Sequence, residues 1–273
     1  LDLYQGQYDA GYDRLREHRF ESLKAAGIIP SDWTLPPRNE AVPAWAGLSL
    51  DEQRRESRKM ELYAAMVDNL DRHVGGLLEA LREHGLYEDT IVIVMGDNGA
   101  AAEDFYNGHP HADVQSYLRA NYDNAYENMG KPSSFISYGP QWAEAGSAPF
   151  SRHKTYAREG GLVAPMIVAG RGVQRQGEQT DAYTTVMDLA PTILELGQAT
   201  YPTDGSVQPM RGETMAPLLT GAADAVHDDQ YVTTLYHGGH AFVRRGRWKL
   251  VNLGPRFSES SFELFDLQED PGE

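Results

Sequence analysis

Cysteine is absent from the 273-residue chain, which excludes disulfides, thiolate metal sites and a cysteine nucleophile within it. That absence leaves the cellular compartment open. Basic residues are scarce: 24 Lys and Arg stand against 40 Asp and Glu, a formal charge of −16. With no basic patch to neutralise phosphates, nucleic acid is not expected as a partner. An anionic ligand would need local positive charge set against this acidic background. No apolar run approaches the ~20 residues of a membrane span, so no membrane partner is expected. Internal repeats and low-complexity tracts are also lacking. What is present suffices for a core, since 41 % of residues are hydrophobic and 10 % aromatic. The length suits one large domain, with or without a small appendage.

The patterning is that of an α/β protein. Residues 8–25 read as a helix with Leu15, Phe20 and Leu23 as candidate buried positions, and the proline-rich "IIPSDWTLPPRNEAVPAW" that follows reads as a loop. Ser49 and Glu52 form a capping-box pattern. Behind them Tyr63, Met66, Leu70, Val74, Leu77 and Leu81 recur at helical spacing as one apolar stripe, which Gly85 terminates. Ile91–Met95 is a continuous β-branched run, the kind buried on both faces of an α/β sheet. Residues 99–160 are polar and poorly periodic, a long excursion of the sort that is usually functional. "LVAPMIVAG", Leu162 to Gly170, predicts a second core strand, and "TTVMDLAPTILELG" a short helix stopped by Gly197. After about residue 228 the pattern changes to "QYVTTLYH", "HAFVRRG", "RWKLVNL" and "SFELFDL", four short strands with turn residues between them. Two units are therefore expected: 1–227, part of a large α/β domain, and 228–273, a small antiparallel β subdomain.

The run "IVIVMGDNGA" raises the functional question, because a buried strand ends in two polar side chains flanked by glycine. Ligands of open α/β sheets bind at the carboxyl ends of strands. Asp97 and Asn98 offer hard oxygens there, suited to calcium or magnesium, although Asp-Asn-Gly is also good turn chemistry. In "SRHKTYAREGG", Lys154 is a candidate for holding a tetrahedral anion, or a solvated surface lysine. Lys154 precedes its strand whereas Asp97 follows its own. The two meet only if the second strand runs antiparallel or the long loop folds back over the sheet edge. His109 and His111 lack the third ligand a zinc site needs. His237 and His240, around Gly238-Gly239, suit a pocket lining or a turn between strands. Ser147-Ala148-Pro149 imitates the start of a serine nucleophile motif, but its arginine comes one position late, at Arg152.

Taken in order, these segments resemble the C-terminal half of a bacterial arylsulfatase-like sulfatase of the alkaline-phosphatase superfamily. "YAAMVDNLDRHVGGLLEALREHGLYEDTIVIVMGDNGA" is similar to that family's helix and Asp-Asn-Gly metal strand. "NMGKPSSFISYGPQWAEAGSAPFSRHKTYAREGGLVAPMIV" is similar to its lysine and Glu-Gly-Gly segment. "MDLAPTILEL", "RRGRWKLV" and "FELFDLQEDPGE" are similar to its Asp-x-x-Pro-Thr helix and terminal sheet. The resemblance implies an alkaline-phosphatase-like mixed sheet flanked by helices, here partial, with a small C-terminal antiparallel sheet.

It also implies Asp97 and Asn98 as ligands of Ca2+, with Mg2+ the alternative. Asn98 and Lys154 would contact a small-molecule sulfate ester, and Lys154 would assist departure of the leaving oxygen. The family's formylglycine nucleophile and its remaining ligands belong to an N-terminal half that this sequence does not contain. A chain that begins at Leu1 without methionine reads as a piece of a longer protein. On that reading it binds calcium weakly, does not turn over sulfate esters alone, and is prone to self-association through an uncovered sheet edge. Any targeting segment would precede Leu1, so bacterial cytoplasm and periplasm both stay open. Two alternatives remain: a phosphonate or phosphodiester hydrolase of the same superfamily, or a non-catalytic calcium-binding module. Tyr106, Tyr138 and Trp142 are candidates for leaving-group contact or for the core.

Overall fold

The computed structural model describes residues 2–108, 110–254 and 259–273. Helix α1, Gly11–Ala25, turns Tyr12, Arg16 and Phe20 inward at four-residue spacing. Leu15 and Leu23 are only half-buried. The buried Arg16 donates from Nη2 to the Pro36 carbonyl at 2.8 Å, and the Asn39 amide donates to Glu144 Oε1 at 2.8 Å. The first bond ties the proline-rich loop to α1, and the second ties it to the later helix Gly139–Ser147.

Helix α2, Leu50–Glu83, opens with the expected capping box. Ser49 N donates to Glu52 Oε2 at 2.7 Å and Glu52 N to Ser49 Oγ at 3.3 Å. Its first half buries Met60 and Leu62. There it meets an aromatic cluster in which Trp142 stands edge-on to Tyr12 and Tyr8, with ring centres 5.5 and 5.9 Å apart. The Trp142 indole donates to the Glu56 carbonyl at 3.0 Å. The second half departs from expectation. Met66, Leu70 and Leu77 are 69, 60 and 59 % exposed, whereas Tyr63 packs on Tyr138 with ring centres 4.9 Å apart and Val74 and Leu81 are half-buried, so the stripe is only partly covered by the described residues.

Strands β1, Ile91–Met95, and the later β2, Met166–Gly170, pair antiparallel from Ile91↔Gly170 to Met95↔Met166. The mixed sheet is thus represented by two strands, and neither has a second neighbour among the described residues. β1 is not buried on both faces as expected: its first three residues are half-buried, and Val94 and Met95 are exposed. Residues 99–160 carry more helix than their weak periodicity suggested: α3 Phe105–Gly108, α4 Ala112–Asn121 and α5 Gly139–Ser147. A single helical turn, α6 Glu159–Leu162, takes the start of the expected second strand.

Helix α7, Leu189–Leu196, stops at Gly197 and is followed by the short α8, Ala216–Leu219. The polar residues of its Asp-x-x-Pro-Thr motif act as anchors. Asp188 accepts from the Glu213 amide at 2.9 Å and pairs with His227 Nε2 at 2.9 Å. Thr192 Oγ1 accepts from the Met215 amide at 2.8 Å.

The chain then forms a four-stranded antiparallel meander in the order β3-β4-β5-β6. The strands are Val232–His237, His240–Arg245, Trp248–Asn252 and Phe262–Asp266. Phe242 and Val251 of this sheet share a core with Ala157 and Leu162, which seats the meander against the segment before β2. No described helix is long and apolar enough to cross a membrane.

Candidate functional site

The antiparallel sense of β2 decides the geometry, because it brings the residues after β1 and those before β2 to one end of the sheet. The contact there is backbone on backbone. Gly99 N donates to the Gly161 carbonyl at 3.0 Å, and Lys154 N to the Ala100 carbonyl at 3.0 Å. A Cβ on Gly99 would lie 1.9 Å from the Gly160 oxygen, and one on Gly160 would lie 2.3 Å from the Ser151 oxygen. Only glycine permits so close an approach. This answers half of the question posed by Gly-Asp-Asn-Gly: its second glycine exists to dock the turn against Glu-Gly-Gly.

Docked in this way, Asp97, Asn98 and Lys154 line one cavity of about 220 Å3. Asp97 is exposed and Asn98 half-buried. Asn98 Nδ2 donates to Asp97 Oδ1. That hydrogen bond, followed by lesser causes that include the Lys154 charge, holds the Asp97 carboxyl below the ordinary carboxylate range. Asn98 Oδ1 is buried and accepts no hydrogen bond, an unusual state for an amide oxygen. A carboxylate beside an orphaned amide oxygen suits a hard cation in kind, but two donors fall short of calcium's usual six to eight. Among the described residues no group of three or more His, Asp or Glu converges to complete a metal site. Lys154 Nζ pairs with Glu103 Oε1 at 3.4 Å while its side chain stays 40 % exposed. It is a cation held at the cavity and still reachable by solvent.

The rest of the lining was not assigned with certainty by the sequence. His237 and His240 are both the ends of a hairpin turn and part of the cavity wall, with Tyr156, Leu162 and Leu235. Burial lowers the pKa of His153, next to Lys154, so its ring is neutral at neutral pH; it stands edge-on to Tyr156 with centres 5.1 Å apart. Of the three aromatic residues offered for leaving-group contact, none lines the cavity. Trp142 is core, Tyr138 packs against that core, and Tyr106 donates to the Tyr122 carbonyl at 3.4 Å. Ser147 Oγ donates to the Gly160 carbonyl at 3.2 Å, in keeping with a structural serine. His111 sits immediately before α4, and His109 lies outside the described residues.

Glu159, which the sequence offers only as the acidic residue of the Glu-Gly-Gly segment, is a buried anchor. Its Oε1 pairs with Lys249 Nζ of β5 at 2.6 Å, and the same ammonium meets Glu273 Oε1 at 2.8 Å. The Lys249 side chain is fully buried. Two carboxylates on one buried ammonium tie the Glu-Gly-Gly turn, and with it the rim carrying Asp97, to the meander.

The profile of the Sulfatase family matches residues 2–199, and that of the C-terminal part of N-sulphoglucosamine sulphohydrolase matches residues 151–273. An uncharacterised sulfatase of Schizosaccharomyces pombe is 32 % identical over 278 residues, covering 100 % of this chain and 50 % of its own. An arylsulfatase of Klebsiella aerogenes is 36 % identical over 197 residues, 71 % of this chain and 41 % of its own. Among solved structures, that of Ps i-CgsB superposes with a TM-score of 0.52 at 19 % identity, over 96 % of this chain and 49 % of that one. A protein solved with its substrate D-glucosamine-2-N,6-O-disulfate superposes with a TM-score of 0.52 at 18 % identity, over 80 % of this chain and 36 % of that one. These two likenesses concern the fold alone. The chain spans half or less of the length of the relatives it matches.

Proposed function

The chain belongs to the sulfatase family, and from that premise we propose that it is the C-terminal part of an enzyme hydrolysing small sulfate esters to an alcohol and sulfate. The observation that carries the reading is the convergence of Asp97, Asn98 and Lys154 on one cavity from segments more than fifty residues apart in sequence. The Lys154 ammonium binds a sulfuryl oxygen and stabilises negative charge on the departing ester oxygen, a preorganised electrostatic contribution. Glu103 holds that ammonium when no ester is bound, and the incoming anion takes its place. Asp97 and Asn98 would hold a divalent cation, calcium with magnesium as the alternative, which supplies Lewis-acid polarisation of the ester. Depression of the Asp97 pKa further favours the ionised form that a cation requires. The formylglycine nucleophile and the remaining cation ligands are assigned to sequence outside these 273 residues. The arylsulfatase name of the Klebsiella aerogenes relative supports the ester class.

The test uses the full-length protein of which this chain is part. It is expected to hydrolyse 4-nitrophenyl sulfate faster than an aryl phosphonate ester and to lose activity to a chelator. The isolated chain given calcium is expected to show no sustained turnover. A preference for the phosphonate ester, or continued turnover by the isolated chain, would overturn the reading.

A further inference from the structure

Lys154 sits in the loop of residues 151–158, which leads into α6 and carries two non-glycine residues in left-handed backbone. Arg152 has a φ of 66° and Thr155 one of 84°. For a β-branched residue such as Thr155 this is an outlier. Strained backbone of this kind persists only where its surroundings over-determine it. Lys154 lies between the two strained residues. One restraint is the packing of the loop's carbonyl groups on Gly161, where a Cβ would lie 2.2 Å from the Tyr156 oxygen and 2.6 Å from that of His153. His153 is itself buried, and its Nδ1 lies 3.1 Å from the Lys154 carbonyl oxygen.

A second restraint comes from the segment after β6. Gly272 and Glu273 bond to both ends of the loop. The Ser151 amide donates to the Gly272 carbonyl at 3.3 Å, and the Glu159 amide donates to the Glu273 carboxylate. That carboxylate is fully buried and pairs with the Lys249 ammonium at 2.8 Å, which fixes it to β5. Gly272 lies against the proline-rich loop, since a Cβ there would lie 2.4 Å from Pro36 Cγ. The segment is thus wedged between two loops at a point where only glycine fits. Neither Gly272 nor Glu273 lines the cavity that Lys154 shares with Asp97 and Asn98.

We propose that Gly272 and Glu273 form a strap that keeps the Lys154 loop in its strained shape, and that Glu273 is a positioning residue for the Lys154 ammonium. The proposal rests on the sulfate-ester reading for the role of that ammonium. Glu273 touches no reacting group and acts through the ends of the loop. With either end freed, Arg152 and Thr155 relax toward ordinary φ and the ammonium is no longer held at the end of the sheet where Asp97 lies. Misplacing a positioned group by about 1 Å can cost on the order of 100-fold in rate. The Glu159–Lys249 pair anchors the turn that follows the loop; the strap sets the shape of the loop itself.

The experiment compares the full-length protein with its Glu273→Ala and Gly272→Ala variants. The first removes the carboxylate and the second drives a methyl group into Pro36, so a variant that fails to fold leaves the other to decide. Trypsin under native conditions reads the loop, because Arg152 and Lys154 are cleavage sites within it. Hydrolysis of 4-nitrophenyl sulfate reads the ammonium. Each variant is expected to be cleaved after Arg152 and Lys154 about 10-fold faster than wild type, with cleavage after Arg82, in the last turn of α2, within about 2-fold. Each is also expected to lose kcat about 10-fold. A lowered denaturant midpoint with kcat of the folded protein unchanged would show a merely structural strap and overturn the positioning role. If sulfate esters are hydrolysed and neither loop cleavage nor kcat changes, the strap falls and the sulfate-ester reading stands. If the wild type hydrolyses no sulfate ester while the variants open the loop to trypsin, the sulfate-ester reading falls and the strap stands.

Discussion

The two halves of helix α2 meet opposite surroundings: the first is charged and buries Glu56, Ser57 and Glu61 with its few apolar residues, the second carries the apolar stripe. The first half buries Met60 beside Trp142 and Tyr12. The second leaves Met66, Leu70 and Leu77 largely exposed, and strands β1 and β2 also keep Val94, Met95 and Ile167 exposed. Helical periodicity states which face is apolar; it does not state that the partner lies in the same chain. The packed half is held by the aromatic cluster around Trp142, and the stripe of the open half marks where this fold expects more polypeptide.

The strongest way to break the comparison is to disturb the packed side. Trp142→Ala, which removes the centre of the aromatic cluster and the bond to the Glu56 carbonyl, is expected to cost about 3–5 kcal/mol, read by denaturant unfolding. Lys249→Met should be comparable at about 3–5 kcal/mol, because it strands the Glu159 and Glu273 carboxylates in a buried site without their ammonium. If Lys249→Met unfolds at the wild-type denaturant midpoint, the anchoring role given to Glu159 is wrong.

On the open side, Leu70→Ala in the isolated chain should change stability by no more than about 0.5 kcal/mol. In the full-length protein the same change should cost about 2–5 kcal/mol if the stripe is covered there. The isolated chain is also expected to self-associate, with sedimentation showing species larger than monomer; a strictly monomeric chain at high concentration would contradict this. The smallest stability effect is expected at the rim. Asp97→Asn should shift unfolding by less than about 0.5 kcal/mol yet remove most cation affinity. Because the folded Asp97 pKa is depressed, its charge, and the cation affinity that depends on it, should hold from neutral pH down to about pH 4. Both should be lost as pH falls through the folded value. Asn98→Ala removes the largest cause of that depression, so the carboxyl should titrate at higher pH by NMR.

What could be read in the sequence was local. The Ser49–Glu52 box, the strand Ile91–Met95 before Gly-Asp-Asn-Gly, the Gly85 and Gly197 stops and the four meander strands all depend on neighbouring residues, and each lies where expected. What could not be read was set by register and distance. That Lys154 reaches the cavity of Asp97 follows from the antiparallel sense of β2, which no short window encodes. The Glu159–Lys249 pair spans 90 residues, and its only sequence signal was a glutamate before two glycines. Tyr138 and Trp142, left open between leaving-group contact and core, belong to the core because the segment around them folds as helix α5 against α1 and α2 instead of staying a loop.

The convergence of Lys154 with Asp97 and Asn98 is tested most directly by Lys154→Ala in the full-length protein, assayed on an aryl sulfate with calcium present. Loss of kcat on the order of 100- to 1,000-fold with cation affinity retained is the expected result. Unchanged kcat would mean that this lysine, though it lines the cavity, takes no part in the chemistry.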